Sequence, residues 1–188
     1  MVTQFKVVMF VVSLLVLAGC ARQPLTETLS SAAATIWVAT TGVNNTTCGA
    51  SATPCATIAY AVGKVNALGA TNAPGSQVIV KNGTYNETSK ITFTVSGTSA
   101  NPITLKAENV VTSTTAAKNV TINYDGPMMG YAQGVIEGSN VSYLVIEGFK
   151  IQSPSVNSNV TYEGFNNPSY PIPKMNAGIL FRNGDNIT

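Results

Sequence analysis

Val135-Ile136-Glu137-Gly138 returns a few residues later as Val145-Ile146-Glu147-Gly148, with Ser139-Asn140 between the first copy and the next apolar run. A short β-forming run, a polar break and the same run again leave little room for helix. The same grammar fills most of the chain after residue 75. "QVIVKNGTY", "KITFTVSG", "NPITLKAEN", "NVTINYDG", "GVIEGSN", "VSYLVIEGFKIQ" and "AGILFRNGDNIT" follow one another. Each holds a few Val, Ile, Thr, Phe or Tyr, often alternating with polar residues, and in each Gly, Asn or Asp breaks the β-forming run.

Ile103, Val120 and Val141 begin successive runs at an imperfect period of roughly twenty residues, the signature of a solenoid built from single coils. The two "VIEG" segments are then consecutive sides of one winding. In "LVIEGFKIQ", Leu144 and Ile146 point inward on one side. After a bend at Glu147-Gly148, Phe149 and Ile151 point inward on the next. Val145, Glu147, Lys150 and Gln152 face out. A hairpin-built sandwich is the rival, because Asn82-Gly83 and Asn183-Gly184 are hairpin-type dipeptides.

Composition narrows function. The chain has 188 residues, a net charge of +2 and only 10% charged residues, which is no basis for a nucleic-acid-binding stripe. It has no histidine. Ser-His-Asp and Cys-His catalysis and a His-ligated zinc site are therefore excluded for this segment.

Residues 1–20 read as a targeting segment. Lys6 precedes an apolar stretch from Val7 to Val16, too short for a comfortable membrane span. Leu17-Ala18-Gly19-Cys20 then resembles a bacterial lipobox, which makes Cys20 the lipid anchor and the mature N-terminus. Ala21 fits sorting to an outer membrane. An ordinary secretory signal with a chance cysteine is the other reading. Either one implies export, to the cell surface or outer membrane of a bacterium. Residues 21–34 form a flexible tether, and 35–188 the N-terminal part of the folded domain. In an oxidising compartment Cys48 and Cys55 are expected to form a disulfide, the alternative being two buried thiols.

"TIWVAT" is the first strand. Thr53-Pro54 resembles a helix start, with a helix over about 55–67 whose Ile58, Ala61, Val62 and Val65 share one face. Residues from about 154 to 175 break the rhythm with Pro and Tyr and read as a long projecting loop. "AGILFRNGDNIT" stops in mid-strand, so the expectation is a fragment of a longer protein.

"IWVATTGVNNTTCGASATPCATIAYAV" resembles the start of right-handed parallel β-helix proteins. Pro54, Thr57, Ile58 and Ala61 match their Pro-x-x-Thr-Ile-x-x-Ala pattern before a capping helix. Gly83-Thr84-Tyr85 resembles the next element. Gly97, Pro102, Ile103, Thr104 and Ala107 match the one after, and "SYLVIEGFKIQ" the repeated coil. The resemblance covers about residues 35–188. It implies an all-β fold: a right-handed parallel β-helix with an N-terminal capping α-helix. The nearest enzymes are pectate lyase-like polysaccharide lyases of families nine and six. Gly75-Ser76-Gln77-Val78 departs from them, lacking the usual Asp after Gly.

The resemblance implies β-elimination on an acidic polysaccharide, with calcium neutralising a uronate carboxylate in the full-length protein. Only Asp125 and Asp185 are present as Asp, so no cofactor or metal site is assigned to this segment. The catalytic coils are expected after Thr188, and no catalytic residue is assigned. Lys150, Arg182 and Tyr131 are candidates for substrate contact, against the plainer reading of solvated charges and loop packing. Tyr162, Phe165 and Tyr170 carry the same two readings as Tyr131, stacking on sugar rings or packing of the loop onto the wall. Glu137 and Glu147 are a nominal carboxylate pair, more simply turn-edge residues of a repeating coil. The expected partners are an acidic glycan and, through the lipid, a membrane. The alternative function is a non-catalytic β-helix adhesin or glycan-binding surface protein.

Overall fold

The computed structural model describes residues 33–111, 118–126, 134–152 and 177–188. Cys20, residues 21–32 of the expected tether, Tyr131 and the segment 154–175 lie outside these. Ala34, the last residue of that tether, instead belongs to the fold, its amide donating to Ser76 Oγ at 3.1 Å and its carbonyl accepting from Gln77 N at 2.8 Å. The described chain is all-β with parallel sheets and little helix. Its strands are β1 (Thr35–Val38), β2 (Gln77–Val80), β3 (Gly83–Glu87), β4 (Ile91–Phe93), β5 (Ile103–Ala107), β6 (Val120–Tyr124), β7 (Gly134–Ser139), β8 (Leu144–Glu147), β9 (Phe149–Gln152) and β10 (Ala177–Arg182). Helix α1 (Ile58–Ala67) and a single turn, α2 (Gly69–Asn72), sit between β1 and β2.

Three sheets form, in the orders β1-β2-β5-β8, β3-β6-β9 and β4-β7-β10. From β2 onward the chain visits them in strict rotation. Every pairing between named strands is parallel. Hairpin ladders are thus absent among the described strands. Asn82-Gly83 instead marks the corner where the chain passes from the first sheet to the second, and Asn183-Gly184 follows β10.

Alternation explains the packing. β5 and β6 bury every second residue, and inward residues stack in columns. Ile36, Val78, Leu105 and Ile146 form one column; Tyr85, Ile122 and Ile151 another; Ile91 and Ile136 a third, with Ile179 in register beyond them but exposed. Val78, Leu105, Ile91, Ile122 and Ile136 are fully buried. Leu144 points inward and is fully buried; Ile146, Phe149 and Ile151 are partly buried against the same core. Glu147, Lys150 and Gln152 face solvent, as the alternation predicts.

Two expectations need correction. The spacing of roughly twenty residues links strands of different sheets, not strands that pair with one another. Val78 stacks on Leu105 and Ile91 on Ile136, so the true repeat is longer and unequal. Loops of different length at the corners set it. The helix also starts later than Thr53-Pro54. Thr57 is the N-cap, with extended φ −124° and ψ 149°, and its hydroxyl accepts from the Tyr60 amide at 3.3 Å. Cys55 cannot join the helix because its backbone pairs with β1: its amide donates to Trp37 O, and its carbonyl accepts from Ala39 N.

Helix α1 lays Ile58, Ala61, Val62 and Val65 over the end of the core. It packs on β4 and reaches β1, β2 and β3. Asn66 fastens it: Nδ2 donates to Thr92 O at 2.8 Å, and Oδ1 accepts from Thr94 N at 3.1 Å. The disulfide Cys48–Cys55 forms as expected, with Cα atoms 5.0 Å apart.

Candidate functional site

The segment Gly83–Glu87 carries Tyr85 and Glu87 inward and Thr84 and Asn86 outward. Glu87 is 1% exposed, an unusual place for a carboxylate. Its position beside the first turn of α1 accounts for it. Oε1 accepts from Ile58 N at 2.6 Å and Oε2 from Ala59 N at 3.2 Å. The carboxyl therefore satisfies two of the orphan amides at the positive end of the helix. Burial pushes its pKa up; the two amide donors pull the other way.

Glu87 forms the floor of an open cleft of about 620 Å³, bordered by Asn44, Thr57, Tyr60, Lys64, Ser89 and Lys90 among others. Its charged groups are already engaged. Lys64 Nζ donates to Thr46 O at 3.0 Å and to Cys48 O, tying the helix to the disulfide loop. Lys90 Nζ lies 2.6 Å from Glu137 Oε1 on β7. Nearby, Tyr85 is 3% exposed and donates its hydroxyl to Lys81 O at 2.7 Å. Burial, with help from Glu108 and Glu87, pushes its pKa up to about 12. The cleft is thus a clasp between helix and strands, with no free acid or base among these groups.

The outer faces of the sheets are the other candidates, since parallel register aligns their side chains in rows. On the first sheet, Trp37, Ile79, Lys106 and Glu147 share a row, and Lys81 Nζ lies 5.6 Å from the Trp37 ring centre. On the second, Thr84, Thr121 and Lys150 form one row and Asn86, Asn123 and Gln152 the next. Asn123 Nδ2 donates to Asn86 Oδ1 at 2.9 Å. On the third, Glu137 lies between Thr92 and Leu180.

Of the residues singled out from sequence, Lys150 is exposed on β9 and Arg182 is exposed at the end of β10, on a different sheet. The structure does not align them in one row. Glu137 and Glu147 also fall on separate sheets, and Glu137 is spent on Lys90 and on the Gly134 amide. Tyr131 and Cys20 lie outside the described residues. No group of three His, Cys, Asp or Glu that could hold a metal occurs among the described residues. None of the described helices is long and apolar enough to cross a membrane.

Comparison with family models, curated proteins and solved structures finds no match to this chain. The site rests on geometry alone.

Sequence reasoning does not single out Glu87, although a signal exists: in "GTYNE" it shares the inward phase of Tyr85. It also misses the amide row, whose members are far apart in sequence.

Proposed function

We propose that this chain belongs to an exported, lipid-anchored β-helix protein that acts on acidic polysaccharide at the bacterial surface. The observation that carries this reading is the rotation of parallel strands through three sheets behind a helix that plugs one end. A right-handed parallel β-helix is the architecture that such a winding supports. Its walls are long, rigid and studded with aligned polar side chains, which suits a linear polymer better than a small ligand. The lipobox at Cys20 supplies the anchor, and the resemblance to pectate lyase-like proteins supplies the substrate class.

Calcium-assisted β-elimination in the full-length protein is the reaction we propose. Calcium takes several oxygen ligands at once. Asp125 and Asp185 lie on separate segments, after β6 and after β10, and the described residues do not fit such an ion. The complementary reading is a non-catalytic glycan-binding surface protein. It is favoured by one observation: Glu87, Lys64, Lys90 and Glu137, the charged groups of the cleft and its rim, all serve structural bonds.

The test uses the full-length protein with pectate, alginate and chondroitin, calcium present. Elimination yields an unsaturated uronate that absorbs in the ultraviolet. A rise with one of them supports the lyase. Binding without a rise supports the non-catalytic protein. Neither binding nor a rise with any of the three refutes both.

A further inference from the structure

The three sheets differ in what their outer faces leave unpaired. On the first, Lys106 lies in register with Glu147. On the third, Glu137 is held by Lys90 at 2.6 Å. Lys106 and Lys90 thus have an acidic neighbour, the first by register alone, whereas Arg182, exposed on the third sheet, lies in register with Ser139. On the second, Lys150 lies in register with Thr121, which in turn lies on Thr84. Lys150 is exposed and forms no ion pair among the described residues.

The second row beside it is made of amides. The bond from Asn123 Nδ2 to Asn86 Oδ1 fixes both groups and leaves an amide N–H on Asn86 and an oxygen on Asn123 for other partners. Gln152 continues the row in register. Rows on neighbouring strands repeat at roughly 4.7–4.9 Å, close to the length of one pyranose ring in an extended chain. Hydroxyls and amides at that spacing match the hydroxyls of successive sugars. An ammonium at one end of the strip matches a carboxylate.

Resting on the function proposed above, we propose that the outer face of the β3-β6-β9 sheet is a binding strip for an extended, uronate-bearing polysaccharide. The glycan crosses the strands along the stack. Lys150 Nζ takes a uronate carboxylate; Thr84, Thr121, Asn86, Asn123 and Gln152 take hydroxyls. The face is preorganised because every one of these residues stands on a strand held from both the core side and the backbone ladder.

Calorimetry with the full-length protein tests this, using oligogalacturonate and oligoalginate against a neutral glucan of equal length. Three variants are compared: Lys150→Gln, Asn123→Ala, and Lys106→Gln on the first sheet as control. Thermal midpoints report folding. We expect Lys150→Gln to weaken uronate binding by about three- to tenfold and to remove its preference over the glucan. Asn123→Ala should weaken it by about threefold. Lys106→Gln should leave it unchanged. Tight uronate binding that ignores both Lys150→Gln and Asn123→Ala overturns the strip but leaves the proposed function standing. Equal losses in Lys150→Gln and Lys106→Gln overturn it as well, since net charge alone would explain them. Equal wild-type affinity for the glucan removes the uronate assignment. No binding of any uronan overturns strip and function together.

Discussion

Phe93 and Phe181 meet across Gly138, their ring centres 6.3 Å apart and their planes tilted by 46°. Register explains it: Phe93 lies beside Gly138 on one side, and Phe181 beside it on the other. A side chain at 138 would occupy the space the rings use. An added Cβ would stand 2.8 Å from Phe181 Cε1 and 2.5 Å from Val141 Cγ2. Gly148, at the matching place in the second "VIEG", does something else. Its φ of +89° turns the chain from β8 into β9, and its Cβ would stand 2.8 Å from Ala107 Cβ.

The two glycines should therefore respond differently to substitution. Gly138→Ala is expected to cost about 1–3 kcal/mol through overpacking, and Phe181→Leu in the same chain should recover part of it. Gly148→Ala should cost about 2–4 kcal/mol, because backbone strain adds to the clash, and Phe181→Leu should not help. Urea midpoints of the four variants decide the matter. Equal rescue of both would contradict the assignment.

Glu87→Ala leaves the Ile58 and Ala59 amides without their acceptor, one of them buried. The expected loss is about 2–4 kcal/mol, with α1 the first element to gain hydrogen exchange. Unchanged exchange at Ile58 would show that the carboxyl does not clasp the helix.

The same group sets a pH dependence. Its folded pKa lies above its unfolded value because burial disfavours the charged form. The native state then binds the proton more tightly, so this contribution is fully present below the unfolded carboxylate range. It is lost as pH rises through the folded pKa. Glu87→Gln removes it. The stability gap between wild type and Glu87→Gln should therefore shrink with rising pH across that window, measured by urea denaturation at a series of pH values. A gap that widens would mean that the amide donors outweigh burial.

Replacing Cys48 and Cys55 together by Ala should lower stability by about 2 kcal/mol, the expectation for so short a loop. Lys64, which binds Cys48 O, should lose part of its restraint. Thermal melts of the oxidised wild type and the double variant give the difference; no difference would mean that the cross-link constrains nothing.

Metabolic labelling with a fatty acid should mark the protein in a bacterial host, and Cys20→Ser should abolish the label. Persistent labelling of Cys20→Ser would refute the lipobox reading.

Much of the wall is legible in the order of residues. The inward phase of Leu144, Ile146, Phe149 and Ile151 follows from alternation, and the bend at Glu147-Gly148 from glycine at a strand end. The true repeat is not legible. Corner loops of unequal length separate stacked partners such as Ile103 and Leu144, so no constant spacing betrays them. The helix start is hidden for a related reason: pairing of Cys55 with β1 is a long-range contact that local capping rules ignore. The amide row of Asn86, Asn123 and Gln152 exists only through register.

Sequence by itself determined the local alphabet: short strands with one apolar face, corners at Gly and Asn, one amphipathic helix, two cysteines close enough to bond. Local sterics and the two-residue period of a strand suffice for that. Tertiary structure alone decided which strand lies on which, and with it the use of each repeated residue. Two identical "VIEG" words became a seat for two phenyl rings and a hinge, because their neighbours in space, not in sequence, differ.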